Sequence, residues 1–213
     1  MMLMKRFLTI SLFFLIVPGK SILTFAQTTS GESVITSDIG FSVVGAALKT
    51  FVDGKSFKDS FDRVTVGINS KPAVVLSYDY GLSDMWSIGM VASSQQLYGD
   101  LDYAYTLNNE LREGVVPYTM RRNNISFSTK VHYGGNERVD FYSGLRVGMI
   151  FWGINIDTND DRLDVLTKFT FTRPNFSFTA LGGRAYLTDH IACHFEFNLG
   201  APNLVGAGLS VKL

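Results

Sequence analysis

Residues 191–200 (IACHFEFNLG) and 204–213 (LVGAGLSVKL) alternate apolar and polar or small residues without a slip. In the first, Ile191, Cys193, Phe195, Phe197 and Leu199 share one parity, and Ala192, His194, Glu196, Asn198 and Gly200 the other. In the second, Val205, Ala207, Leu209, Val211 and Leu213 stand opposite Leu204, Gly206, Gly208, Ser210 and Lys212. Successive side chains of a strand point to opposite faces, so each segment has one apolar face and one small or polar face.

The same two-residue period recurs upstream. Val139–Gly153 sets Val139, Phe141, Leu145, Val147, Met149 and Phe151 against Asp140, Tyr142, Gly144, Arg146 and Gly148. Asn123–Tyr133 sets Ile125, Phe127, Val131 and Tyr133 against Asn124, Ser126, Ser128, Lys130 and His132. Pro72–Tyr80 and Trp86–Ser94 follow suit, and Ile39–Lys49 does so more weakly. In Asn175–Leu187 the apolar parity runs through Phe176, Phe178 and Ala180, then switches to Ala185 and Leu187 beyond Gly182-Gly183. One extra residue in a strand exchanges its faces, so a β-bulge at the glycine pair is one reading. A simple twist with Leu181 facing inward is the other.

Gly81–Asp84, Gly134–Glu137 and Thr188–His190 carry the Gly, Asn and Asp chemistry of tight turns. Between them run the longer polar stretches Thr50–Lys71, Leu101–Arg122 and Ile156–Arg173, with a short connection at Ala201–Asn203. Three turns and four outer connections make eight strands. Aromatics gather near strand ends, as Tyr78, Tyr80 and Trp86 do, and Phe151 and Trp152. Such a girdle suits a membrane boundary.

The chain start reads as an export signal. Lys5 and Arg6 precede the apolar run Phe7–Val17, which Pro18-Gly19-Lys20 breaks, and Thr24-Phe25-Ala26 supplies small residues for cleavage. The run is shorter than the roughly 20 residues a spanning helix needs. Residues 1–26 are therefore expected to be a signal peptide and 27–213 one domain. Lys and Arg total 19, as do Asp and Glu, so no basic footprint for nucleic acid exists. The single cysteine, Cys193, excludes an internal disulfide and sits on an apolar face as a small hydrophobe.

Alternation alone does not say which face is inside. The signal, the turn and loop asymmetry, and the charges confined to one parity favour an apolar face turned to lipid. The expected fold is all-β: a transmembrane, antiparallel, up-and-down β-barrel of eight strands in the bacterial outer membrane, with short periplasmic turns and longer extracellular loops. Outer-membrane lipid is its expected surrounding partner.

The whole of 27–213 resembles the small outer-membrane β-barrel family that includes the OmpX, OmpW and OmpA barrel domains. Residues 80–89 (YGLSDMWSIG) resemble that family's first periplasmic hairpin. Residues 208–213 (GLSVKL) are similar to its C-terminal insertion signal, with Gly208, Val211 and Leu213 at the signal positions. Leu213 departs from the usual aromatic end. The resemblance implies the barrel-insertion machinery as a partner during biogenesis, a monomer, and a non-enzymatic structural or surface role through barrel and loops, its extracellular ligand unnamed. The OmpW likeness implies an alternative: a narrow porin-like channel for small or hydrophobic solutes.

An eight-stranded barrel is just wide enough to be filled by side chains. Asp79, Lys130, Asp140, Arg146, Arg184, Glu196 and Lys212 share the polar parity and are expected to form a lumen ion-pair network, since buried charges must be paired. The segment His132-Tyr133-Gly134 is comparable with the catalytic His-Tyr-Ser of outer-membrane lipid A deacylases, but Gly134 replaces the nucleophile. Residues 157–161 (DTNDD) open like a calcium loop, yet Arg162 and Lys168 occupy the turn-glycine and bidentate-carboxylate positions. No catalytic, metal or cofactor-binding residue is expected. The long connections, with aromatics such as Tyr98, Tyr103 and Tyr105, read either as strand extensions beyond the bilayer that form an exposed rim open to partners or as simply solvated loops.

Overall fold

The computed structural model describes residues 30–42, 63–107, 110–136, 138–156, 168–200 and 203–213. Ten strands occur among them: β1 (Ser33–Phe41), β2 (Arg63–Val66), β3 (Asn69–Ser70), β4 (Ala73–Ser83), β5 (Trp86–Leu107), β6 (Glu110–Asn136), β7 (Val139–Ile156), β8 (Lys168–Tyr186), β9 (Ile191–Leu199) and β10 (Val205–Lys212). Eight of them, β1 and β4 to β10, close into a ring in which every neighbour is antiparallel. The seam joins β1 to β10 from Val34↔Lys212 to Phe41↔Val205, and the Leu213 N–H extends it by donating to the Ser33 carbonyl at 2.9 Å. Closure leaves the spanning section no sheet edge, the condition for β-structure in hydrocarbon.

The apolar parity faces out. Ile39, Leu76, Met90, Phe127, Val147, Phe176, Phe197 and Leu209 are all exposed, while Asp79, Lys130, Arg146 and Glu196 are buried inside. This inverts a soluble barrel and is the membrane arrangement. At the short-turn end Tyr78, Tyr80, Trp86 and Tyr133 are exposed as a girdle. Phe151 is also outward, but Trp152 turns inward, stacked on Phe171 at 5.9 Å with the Arg122 guanidinium 5.8 Å from its ring centre.

Three sequence expectations need correction. Leu101–Arg122 is not a loop: β5 and β6 stay paired from Trp86↔Val131 out to Leu107↔Glu110, so this hairpin projects beyond the ring. β2 and β3, inside the stretch read as the loop Thr50–Lys71, pair with β5 in that projection. The first strand begins at Ser33, six residues ahead of the expected start, while 43–49 lie outside the described residues. Outside them too fall the export signal, the acidic segment 157–161 and Ala201-Pro202.

The face switch in β8 is a bulge, placed at Ala180 rather than at the glycines. Thr179 pairs with Asn198 and Leu181 with Phe197, leaving Ala180 extra, and Leu181 is thereby exposed to the outside. The glycines that follow serve packing. A Cβ on Gly182 would lie 2.3 Å from the Tyr142 ring inside the barrel, and one on Gly183 would lie 2.4 Å from the Phe195 ring outside. Two aromatic rings thus cover a bare stretch of backbone from both sides. Gly182→Ala is expected to lower stability by about 1–3 kcal/mol through overpacking. Gly153→Ala, whose Cβ meets nothing within 4 Å, serves as control. Urea unfolding of the refolded barrel in detergent tests the pair, and equal midpoints would contradict the packing role.

Candidate functional site in the barrel lumen

Lumen-facing side chains at the short-turn end of the barrel form one connected polar network. Asp79 of β4 accepts from Lys130 Nζ of β6 at 2.7 Å and from Arg184 Nη2 of β8 at 2.5 Å, both through Oδ2. Arg184 Nη1 reaches Asp140 Oδ2 on β7 at 3.4 Å. Glu196 of β9 accepts from Arg146 Nη2 at 2.7 Å and 2.5 Å through its two oxygens, and from the Tyr142 hydroxyl at 2.8 Å. Lys130 Nζ, 3.7 Å from Glu196, joins the two halves. The Tyr142 ring lies under both Lys130 and Arg184, with its centre 4.5 Å from Nζ and 5.1 Å from the guanidinium carbon.

Six of the seven residues expected in the lumen network are therefore brought together: Asp79, Lys130, Asp140, Arg146, Arg184 and Glu196. Lys212 is not. It stands on the inner parity at the rim of the short-turn end, where it meets Glu32 at 3.3 Å, and it is only part-buried. Parity placed it on the correct face but could not say how far along the barrel the network extends. Gly208, Val211 and Leu213, the insertion-signal positions, lie on and just past β10, the last two exposed on the outer face.

Four residues complete the network that charge counting overlooked. His194 Nδ1 lies 2.6 Å from Asp38 Oδ1 of β1, and its Nε2 lies 2.5 Å from the Tyr142 hydroxyl. His132 Nδ1 lies 2.8 Å from Asp140 Oδ1, and its Nε2 lies 2.8 Å from Ser87 Oγ of β5. Asp38 was findable, because it shares the inner parity of a strand whose outer face carries Ile39 and Phe41. Ser87 was not, because its link to His132 depends on the β5–β6 register.

Ser87, His132 and Asp140 have the connectivity of a hydrolase triad. A nucleophile must also meet its substrate, and Ser87 is 0 % exposed with its hydroxyl turned into the packed lumen. The arrangement satisfies a buried imidazole. Asp38, His194 and Glu196 place one ligand atom each within 4.8 Å of one another, a spacing a metal could use. Arg146 and Lys130 already neutralise Glu196, and both His194 nitrogens are engaged, so a cation would meet two fixed positive charges. The donor set fits an ion-pair network better than a metal centre.

Toward the long-loop end Ala73, Val75 and Val91 form a small apolar cluster on β4 and β5, but buried Asn124, Ser126 and the Gln95–Arg122 pair share those levels. The inner wall turns apolar from Leu97, which is fully buried. Above them Val66, Leu101, Tyr118, Met120, Ile154 and Ile156 line a pocket of about 170 Å³ with no polar lining. The Tyr118 hydroxyl donates to the Gly67 carbonyl at 2.8 Å. Burial, with Asp100 nearby, pushes this phenol up to about 12, so it stays a neutral donor.

The ring, the outward apolar face and the filled lumen together define a small membrane β-barrel. One solved structure agrees on the fold. Outer membrane protein OprG of Pseudomonas aeruginosa superposes with a TM-score of 0.50 at 11% identity, covering 88% of this chain and 99% of that one. The N-terminal barrel domain of Pseudomonas aeruginosa OprF is similar at 11% identity over 86% and 98%, with a TM-score of 0.42. The attachment invasion locus protein Ail of Yersinia pestis gives 10% identity over 86% and 96%, with a TM-score of 0.40. No family model and no curated protein matches the chain. The chain has the fold of the small outer-membrane barrels.

Removing one partner of a buried pair leaves an uncompensated charge. Arg184→Ala, which takes one partner from Asp79 and one from Asp140 together, is expected to cost about 3–5 kcal/mol. Lys212→Ala at the rim is expected to cost less than about 1 kcal/mol. Urea unfolding in lipid vesicles checks the contrast, and similar losses for both variants would contradict the division between network and rim.

Proposed function

We propose that the protein is a non-enzymatic integral protein of the outer membrane, exported by its first 26 residues, that works through barrel integrity and its extracellular side. The observation that carries this reading is the lumen network. Charged side chains from six of the eight ring strands meet across the barrel and fill it at the short-turn end. A lumen so filled supports an anchor rather than an open pore, because wide aqueous channels need more strands. The long-loop end, where β5 and β6 extend the sheet past the ring with β2 and β3 alongside, then becomes the surface for contact with the surroundings. Monomers suffice for this role, and the insertion machinery remains the partner expected during assembly.

A second reading is favoured by the apolar pocket above the network: uptake or holding of a small hydrophobic solute, in line with the OmpW resemblance. Planar-bilayer recording separates the two. Under the first reading the purified barrel shows no discrete conductance at neutral pH. Reproducible single-channel steps, lost when a bulky adduct is placed on a cysteine introduced at Ser126, would favour the channel.

A further inference from the structure

The outward side chains of β5 to β8 fall into rows fixed by strand register. Met90, Phe127, Val147 and Phe176 form one row, and Ala92, Ile125, Met149 and Pro174 the next toward the long-loop end. The following row, Ser94, Asn123, Phe151 and Thr172, is mostly polar, with Ser94 Oγ donating to Asn123 Oδ1 at 2.8 Å. The change takes a single step on β5, β6 and β8, with Phe151 of β7 one row behind, so it marks where hydrocarbon ends.

The first fully polar row beyond that edge is Gln96, Arg121, Gly153 and Thr170. Lys71 joins it by donating from Nζ to Gln96 Oε1 at 3.1 Å. The next row is Tyr98, Thr119, Asn155 and Lys168. Lys71, Arg121 and Lys168 are exposed, and neither row contains a carboxylate. The nearest outward acid on β5, Asp100, lies one row farther out. Gly153 has open space where a side chain would stand, which leaves the flank of Arg121 accessible from the membrane side.

Among the described residues these three outward cations share their rows with no acid, and they stand just above an apolar band, where the headgroups of the surrounding leaflet lie. We propose that Lys71, Arg121 and Lys168 form a belt that binds phosphate groups of the phosphorylated glycolipid in the outer leaflet. The guanidinium fork of Arg121 matches phosphate oxygens in pairs, and the two ammonium groups add point charges on either side. Cations at such a surface gain attraction that neutral polar residues lack. The proposal rests on the outer-membrane reading and adds the lipid class to it.

Bilayer discs of zwitterionic phospholipid doped with bis-phosphorylated lipid A, or with the same lipid after removal of its phosphates, provide the test. Native mass spectrometry then counts the lipid A retained per barrel. Wild type is expected to retain the phosphorylated form, and the double variant Lys71→Gln, Arg121→Gln to bind it about tenfold or more weakly. The dephosphorylated lipid is expected to bind wild type no better than phosphorylated lipid binds the variant. Equal retention of both lipids, or a variant that retains as much as wild type, overturns the belt. Heat-dependent gel mobility verifies that the variant is folded. Failure of wild type to enter discs of either composition overturns the membrane reading beneath it.

Discussion

Hydrocarbon offers no hydrogen-bond partner, so a chain crossing it must satisfy every backbone amide within itself. The rest of this structure follows from that constraint. Strands solve it only as a closed ring, which is why β1 must return to β10 and why the seam is paired along the whole of β1 from Val34 to Phe41. Closure with eight strands leaves a lumen too narrow for bulk water, and the inner parity must then fill it. Polar residues on that parity are buried as a consequence, and their charges survive only by meeting opposite charges across the barrel.

The network answers this with a small number of shared groups. Asp79 serves Lys130 and Arg184, Glu196 serves Arg146, Lys130 and Tyr142, and Tyr142 also serves His194. Each charged side chain reaches a partner on a different strand, so the contacts brace the ring across its diameter as well as along its ladders. The packing of β8 is adjusted to the same end. Its bulge at Ala180 turns Arg184 inward, and Gly182 leaves the room that the Tyr142 ring occupies. The inner wall is ionic at the short-turn end, keeps buried polar side chains through Asn124 and the Gln95–Arg122 pair, and becomes apolar only at the pocket above Leu97.

Much of this was legible in the sequence because the membrane section has a strong contrast between its faces. Where one side meets lipid and the other meets charge, a two-residue period shows plainly, as in 191–200 and 139–153. The projection was hidden because that contrast fades once both faces leave the hydrocarbon. Tyr103, Glu113, Arg121 and Thr119 follow no simple alternation of polarity, and Leu101–Arg122 therefore read as loop. The rim expected around Tyr98, Tyr103 and Tyr105 is a strand hairpin in which Tyr103 is buried over Gly114 and stacks on Tyr105 at 6.1 Å. The bulge was visible as a parity switch, but the glycines drew attention away from Ala180. In the lumen, charges announced themselves by parity, whereas Ser87, Tyr142 and the two histidines owe their roles to register, which a single strand does not encode.

The central claim is that the apolar parity meets lipid while the charged parity fills the lumen. Cys193, the single cysteine, stands on the outer face of β9 two residues above the short-turn end and reports on it directly. A nitroxide attached to Cys193 in the barrel reconstituted into bilayers should collide readily with dissolved oxygen and be shielded from a water-soluble nickel chelate. A label that meets the chelate freely and oxygen poorly would place this face in water and contradict the account.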